Sequence, residues 1–459
     1  MKYICIKELI IKKKMRFIAL LLCGMMLASC AQGGVSKVEE YVPGEPVELT
    51  INLYAPQSIM DTCAAMFMEK HPEVTVIVNN FYNSRMITNA ETGGVTAAIP
   101  ADDFSIDSYA KYVNTLLMSG DAEDIFLVQE LPAYQFEKMG TFLDLAPYIA
   151  NTPSFNNENY FMNALDAAKN DKGQLFILPV VANAGQIYLF SRKIVENAGL
   201  YWEEGRKSAT YEEIYDYTKR LYKATTLPNA FFAYEEDAGS WATFLIDTYI
   251  SEFIDIDTRM VDFNNETFIS LIQGVYDDFR TYQTRSLFEP RDANFINTSW
   301  YDGGLQAARA YTSHPEDCYG AMPVSNMDGV VGVSGLRFAV NAKTQNKGLA
   351  WEFLQFMLSA EVQSMPGMYW CPLNRAGYDA WVEGYCANSV ARGYPVPISV
   401  EAIKEVSIGW MEQINGYAWK DTLINNMIYD EIMLFMDDAQ TAEETAKNLQ
   451  HKCDMYLNQ

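Results

Sequence analysis

Histidine, positive charge and long apolar runs are what this 459-residue chain has least of. The three histidines, His71, His314 and His451, lie far apart with no cysteine or carboxylate at metal-ligand spacing, so neither a metal centre nor a resident cofactor is expected. Lys and Arg number 34 against 59 Asp and Glu, a formal charge of −25 that the polyanionic backbone of DNA or RNA would repel. Nucleic acid is therefore not an expected partner. Beyond the N-terminus no apolar stretch approaches the ~20 residues that a membrane span needs. There is no glycine-rich phosphate loop of the Walker type. Gly332-Val333-Ser334-Gly335 lacks the final glycine of a nucleophile elbow and precedes a strand pattern instead of following one. No motif frames a pair of carboxylates for glycoside hydrolysis, although 59 acids leave such a pair open. The chain is not expected to be an enzyme.

What is present is apolar mass: 49% hydrophobic and 13% aromatic residues, enough for a large core or two lobes. Lys12, Lys13, Lys14 and Arg16 precede an apolar run from Phe17 to Met26, which is the order of a secretory leader. Leu27-Ala28-Ser29-Cys30 follows, and it resembles the lipobox of bacterial lipoproteins, in which the cysteine becomes the lipidated first residue. Residues 1–29 are thus read as a signal peptide, with Met15 a better initiator than Met1, and Cys30 as the lipidation site. Removing them leaves 28 basic and 58 acidic residues, or −30. Ala31 to Pro46, rich in Gly, Glu, Ser and Pro, reads as a flexible tether with a reach of about 20 Å. After Cys30 come Cys63, Cys318, Cys371, Cys386 and Cys453, an odd number, so no disulfide framework is expected. A local bridge between Cys371 and Cys386 stays open, and Cys63 and Cys453 fall on apolar helix faces.

Val47, Leu49, Ile51 and Leu53 alternate with polar residues and predict a strand. Ile59, Cys63, Met66 and Phe67 follow at helical spacing, and Pro72 ends that helix. Val74, Val76 and Val78 alternate again. Strand, helix, strand in about 30 residues is a βαβ unit, and the short apolar runs Ile125–Val128 and Leu175–Leu178 read as strands buried on both faces. The class is α/β. Thr210-x-x-Glu213 and Thr441-x-x-Glu444 read as capping boxes, and Leu349, Phe353, Phe356 and Met357 form the stripe of a helix over Lys347–Leu358. Asn79 to Asp107 reads as a long loop, placed to overhang a cleft.

Four segments, in order, resemble the family 1 extracellular solute-binding proteins, the carbohydrate-type receptors of ABC importers related to maltose-binding protein. They are Leu49–Val78 with Ala65-Met66-Phe67 and Pro72; Gly120-Asp121-Ala122-Glu123-Asp124-Ile125; Lys172–Leu200 with Gly173-Gln174-Leu175 and Ala198-Gly199-Leu200; and Gly335–Gln363 with Lys347-Gly348-Leu349-Ala350-Trp351. The resemblance implies a two-lobed periplasmic-binding-protein-like fold of type II with a ligand cleft between the lobes. It implies lobe 1 over 47–181 plus 321–358, lobe 2 over 182–320 plus 359–459, and hinges near Val181–Asn183, Tyr319–Ala321 and Leu358–Ala360. It also implies a small-molecule solute, in the first place a sugar or oligosaccharide, and an ABC permease as partner. With the lipidated cysteine, the expected place is the outer face of the cell membrane, and the expected state a monomer.

A sugar presents hydroxyls and C–H faces, so its site needs aromatic planes beside carboxylates or amides. Ligands of open α/β sheets bind at the carboxyl ends of the strands. Tyr54 ends the first strand. Gln129 and Glu130 follow the run Ile125–Val128, where an ordinary solvated loop is the other reading. Asn183 falls where the maltose-binding pattern has a ligand-contacting Glu, with a hinge role through its backbone as the alternative. Glu236 and Asp237 precede Trp241, an acid pair beside an aromatic that core burial would explain as well. Trp300 and Tyr301 precede the turn signal Asp302-Gly303-Gly304. Trp370 precedes Cys371-Pro372-Leu373, in the place of a family loop near the cleft. Trp419, within a segment Ile414–Leu434 read as helical, aligns with a ligand-stacking Trp. Val128 and Leu131 stand where the maltose-binding pattern has Trp and Asp, so maltodextrin is not the expected ligand. Trp202, Trp351, Trp381 and Trp410 are assigned to structure. Two alternatives remain: a cationic solute such as a polyamine, drawn by the negative charge, and a secreted glycoside hydrolase.

Overall fold

The structure is a computed structural model that describes residues 38–84, 86–88, 95–97, 105–197, 199–203, 206–225, 238–256, 258–282, 304–313, 315–325, 330–365, 371–392, 399–417 and 421–458. Its principal strands are β1 (Val47–Leu53), β2 (Val74–Asn80), β3 (Ile125–Leu127), β4 (Leu178–Pro179), β5 (Gln186–Ser191), β6 (Ala209–Thr210), β7 (Cys318–Ser325), β8 (Val330–Gly332), β9 (Arg337–Val340) and β10 (Ile414–Tyr417). Its principal helices are α1 (Ser58–Lys70), α2 (Ile106–Ser119), α3 (Tyr211–Thr225), α4 (Ala238–Tyr249), α5 (Glu266–Tyr282), α6 (Leu305–Ser313), α7 (Lys347–Met357), α8 (Ala360–Gln363), α9 (Arg375–Ala391), α10 (Val400–Met411), α11 (Thr422–Met436) and α12 (Ala442–Leu457). Among the described residues no helix is long and apolar enough to cross a membrane.

The first sheet has the order β2-β1-β3-β9-β4. β1 runs parallel to β2 and β3, while β9 is antiparallel to both β3 and β4. The alternation in β1 buries Leu49, Ile51 and Leu53, and Asn52 at its inner end is buried as well. α1 packs Met60, Cys63, Ala64 and Phe67 inward, and Pro72 stops it one residue past the His71 cap. Asp124 ties this sheet together. Its carboxylate accepts from the Thr50 N–H and hydroxyl, both at 2.8 Å, and from the Thr344 hydroxyl.

The second sheet is β5-β7-β6, with β5 and β7 antiparallel and β6 parallel to β7. β7 stays paired with β5 from Ala321 through Val324. α6 lies beside this sheet. Gly304, at φ 84°, precedes it because a Cβ there would stand 2.7 Å from Ile187 and 2.9 Å from Trp410.

One core runs from the first sheet through Val180–Ala184 to α6, α9 and α10; a separate one is formed by α4, α5, α11 and α12; a third, smaller one lies under Phe81, Tyr109, Phe126 and Leu131. Both capping boxes are present: Thr210 with Glu213 at 2.9 and 3.2 Å, and Thr441 with Glu444 at the same distances. The helix expected over Lys347–Leu358 is α7, with Leu358 as its cap. Several sequence readings change. Within the long loop expected over Asn79–Asp107, Phe81–Ser84 is a short helix and Met86–Thr88 pairs antiparallel with Val95–Ala97. Ile414–Tyr417 is a strand paired with Val330–Gly332, and the helix begins only at Thr422, where Asp421 supplies the cap. Leu175 and Ile177 are buried without forming strand, because only Leu178–Pro179 reaches β9. Cys371 and Cys386 are not bridged to each other.

The expected tether is packed over Val38–Tyr41, while 42–46 are exposed. Val38 and Tyr41 rest on the large core, the Tyr41 hydroxyl donates to Glu73 at 2.6 Å, and Lys347 lies 3.5 Å from Glu39. Gly348 makes the close approach possible: a Cβ there would meet Tyr41 N at 2.6 Å and the Glu40 carbonyl carbon at 2.7 Å. Gly348→Ala is therefore expected to lift this strap while leaving the fold intact, since a rigid backbone cannot yield as a side-chain tip can. Hydrogen exchange followed by mass spectrometry should show faster exchange over 38–41, and unchanged exchange there would contradict the packing argument.

Candidate functional site

Because β9 is antiparallel, its first residue lies at the same edge of the first sheet as the last residues of β1, β2, β3 and β4. That edge therefore gathers Tyr54, Phe81, Gln129, Glu130, Val180 and Arg337. It is the edge at which open α/β sheets bind ligands.

Tyr54 is half-buried. Its ring stacks on Phe81, centroids 6.3 Å apart and planes at 21°, and tilts against Tyr109 at 5.4 Å. Tyr109 is brought there by α2, which starts at the Ser105 cap and ends at Gly120 with φ 85°; its hydroxyl donates to Asn52 Oδ1 at 2.7 Å. Burial pushes the Tyr54 hydroxyl pKa up, and the negative charge of Glu130 pushes it further.

Gln129 and Glu130 occupy the tip of a turn closed by Leu131 N–H donating to Val128 O at 3.1 Å. The turn is rooted on β9 by Val128 N–H donating to Arg337 O at 2.9 Å. Burial raises the Glu130 carboxyl pKa against the opposing pulls of Gln129 and Arg337. Burial also lowers the Arg337 guanidinium to about 10, against the pull of Glu130. An exposed ion pair would stabilise both charges. Here each group shifts toward its neutral form, so removal from water outweighs their attraction. Gln129 Oε1 and Glu130 Oε2 are buried acceptors with no hydrogen-bond donor among the described residues. An aromatic face and two unspent acceptors suit a ligand rich in hydroxyls.

Two of the other expected residues are described and have other surroundings. Asn183 is fully buried; its backbone exchanges hydrogen bonds with Val333 at 2.8 and 2.9 Å, and its Oδ1 accepts from Cys371 N–H at 3.2 Å. Through these bonds it joins crossing segments, a backbone role of the kind read as the alternative. Trp241 lies in the first turn of α4, 8% exposed, in the second core against Tyr215 and Phe279. Core burial, its other reading, is what the structure shows. Glu236, Asp237, Trp300, Tyr301, Trp370, Trp419 and Cys30 lie outside the described residues. Of the residues expected after strands, the structure brings Tyr54, Gln129 and Glu130 together.

Sequence reasoning missed Tyr109, Arg337 and Thr422. Tyr109, Val113 and Leu117 at helical spacing between Ser105 and Gly120 were a readable signal for α2. Arg337 was readable only as a charge heading an apolar strand. For Thr422, whose hydroxyl donates to Gln129 O at 2.9 Å, nothing in the sequence indicates a partner 293 residues away.

Among solved structures, the sugar-binding protein MalE from the phytopathogen Xanthomonas citri superposes with a TM-score of 0.51 at 14% identity, covering 89% of this chain and 97% of that one. A sugar transporter from Rhizobium etli in an open conformation gives 0.50 at 15% identity, covering 88% of this chain and 98% of that one. Likeness at such identity is likeness of fold, and the fold is the two-lobed α/β architecture of periplasmic binding proteins. The family described as bacterial extracellular solute-binding protein matches residues 54–364, more than half of the chain, from the aromatic that ends β1 to the residue after α8. The chain belongs to the bacterial extracellular solute-binding proteins.

Proposed function

We propose that this protein captures a sugar or oligosaccharide between its lobes outside the cytoplasmic membrane and delivers it to an ABC importer. The observation that carries the reading is the edge itself: the Tyr54 ring beside two buried acceptors, Gln129 Oε1 and Glu130 Oε2, that have no donor among the described residues. The superposed proteins from Xanthomonas citri and Rhizobium etli are both named as sugar proteins, which supports the same class of ligand. Arg337 also weighs against a polyamine, because it places a positive charge beside the one carboxylate of the turn. Closure between the lobes turns on Val181–Asn183, Tyr319–Ala321 and Leu358–Ala360. The protein acts as a monomer and without catalysis.

A thermal-shift screen of neutral oligosaccharides and polyamines tests this. A ligand that binds only the folded state raises stability by RT ln(1 + [L]/Kd), about 2.7 kcal/mol at a hundredfold excess over Kd. Saccharides are expected to raise the melting temperature and to be recovered uncleaved; a shift with polyamines alone would overturn the reading.

In the same proposal Cys30 carries the lipid that keeps the receptor at the membrane. Two or three acyl chains hold far more firmly than one, so the protein should resist a salt wash. Cys30→Ala is expected to release it to the soluble fraction, checked by fractionation without detergent. Retention of that variant in the membrane would count against lipidation.

A further inference from the structure

A turn of four residues satisfies one carbonyl, that of its first residue, and leaves the next one pointing outward. In the turn Val128–Leu131 that outward carbonyl belongs to Gln129. Its principal donor comes from the other side of the molecule: Thr422 Oγ1 donates to it at 2.9 Å, with Arg337 Nη2 farther away at 3.5 Å. Thr422 opens α11, which buries Ile424, Ile428, Ile432 and Phe435 in the second core, whereas Val128 and Leu131 belong to the small core under the first sheet.

The donor is held in place from its own side. Asp421 caps α11 by accepting from Leu423 N–H at 3.0 Å and Ile424 N–H at 3.1 Å, and both of its carboxylate oxygens accept from the Tyr456 hydroxyl of α12, at 3.0 and 3.1 Å. Thr422 is thus fixed by two helices of one core, and the carbonyl it meets is fixed by β3 and β9 of the other. We infer that Thr422 is an inter-lobe latch and a positioning residue for the ligand turn: its hydroxyl joins the lobes through the carbonyl of Gln129 and sets the side chains of Gln129 and Glu130. The role in binding rests on the sugar-receptor reading; the role in holding the lobes together does not.

The test uses Thr422→Val, which removes the hydroxyl and keeps the shape, and Thr422→Ser, which keeps the hydroxyl. Asp421 still caps α11 in both variants. Solution scattering on the ligand-free protein is expected to give a larger radius of gyration for Thr422→Val and the wild-type value for Thr422→Ser. Titration with maltotriose, cellotriose and xylotriose is expected to show about three- to tenfold weaker binding for Thr422→Val of whichever trisaccharide the wild type binds, the span of one neutral hydrogen bond. A residue that only stabilised α11 would lower the melting temperature and leave the radius unchanged. An unchanged radius for Thr422→Val overturns the latch, even if the sugars bind. If the radius grows while no trisaccharide binds the wild type, the latch stands and the sugar reading is what fails.

Discussion

Trp351→Ala is expected to lower the stability of the chain by about 3–5 kcal/mol, the usual cost of emptying a large aromatic site in a core. Trp351 is 6% exposed on the inner face of α7. Its ring packs against Tyr148 at 5.8 Å and Phe155 at 5.4 Å, and Phe155 in turn stacks on Tyr160 at 4.6 Å. The indole N–H donates to Thr152 Oγ1 at 3.2 Å, so truncation loses that hydrogen bond as well as the packing. Neighbouring rings fixed in a stack collapse poorly into the gap, which keeps the cost high. Equilibrium denaturation measures it, and a loss below about 1.5 kcal/mol would show that the site refills by relaxation.

Tyr54→Ala is expected to weaken sugar binding by about 2 kcal/mol or more, as truncation of a buried aromatic anchor does. The ring is already oriented by Phe81 and Tyr109, so little entropy is lost when a ligand covers it. Tyr54→Phe preserves that face and is expected to retain most of the affinity. Calorimetric titration of both variants separates the face from the hydroxyl. Equal losses for the two would assign the role to the hydroxyl, and no loss for Tyr54→Ala would remove Tyr54 from the site.

The first sheet was legible because its signals are local. Alternation in Val47–Leu53 and Val74–Val78 and the helical stripe between them do not depend on what packs against them. The position of Tyr54, Gln129 and Glu130 followed from the same logic, since a residue that follows a parallel strand must emerge at its carboxyl edge. Asn183 and Trp241 show where that logic stops. Both have the right chemistry, yet Asn183 Oδ1 accepts from the Cys371 N–H and the Trp241 ring packs in the aromatic core of α4 and α5. Which groups are spent internally depends on contacts between residues far apart in the chain, and spacing carries no record of them. Ile414–Tyr417 was misread for a related reason: four residues fit either period, and their pairing with Val330–Gly332 decided the matter.

The central proposal is that the edge of Tyr54, Gln129 and Glu130 holds a neutral saccharide. Isothermal titration calorimetry of the wild-type chain against a panel of neutral oligosaccharides and polyamines tests it most directly. Saturable binding of at least one oligosaccharide with one site per chain is expected, with that heat falling sharply in Tyr54→Ala. Saturation by polyamines with no heat from any saccharide would contradict it.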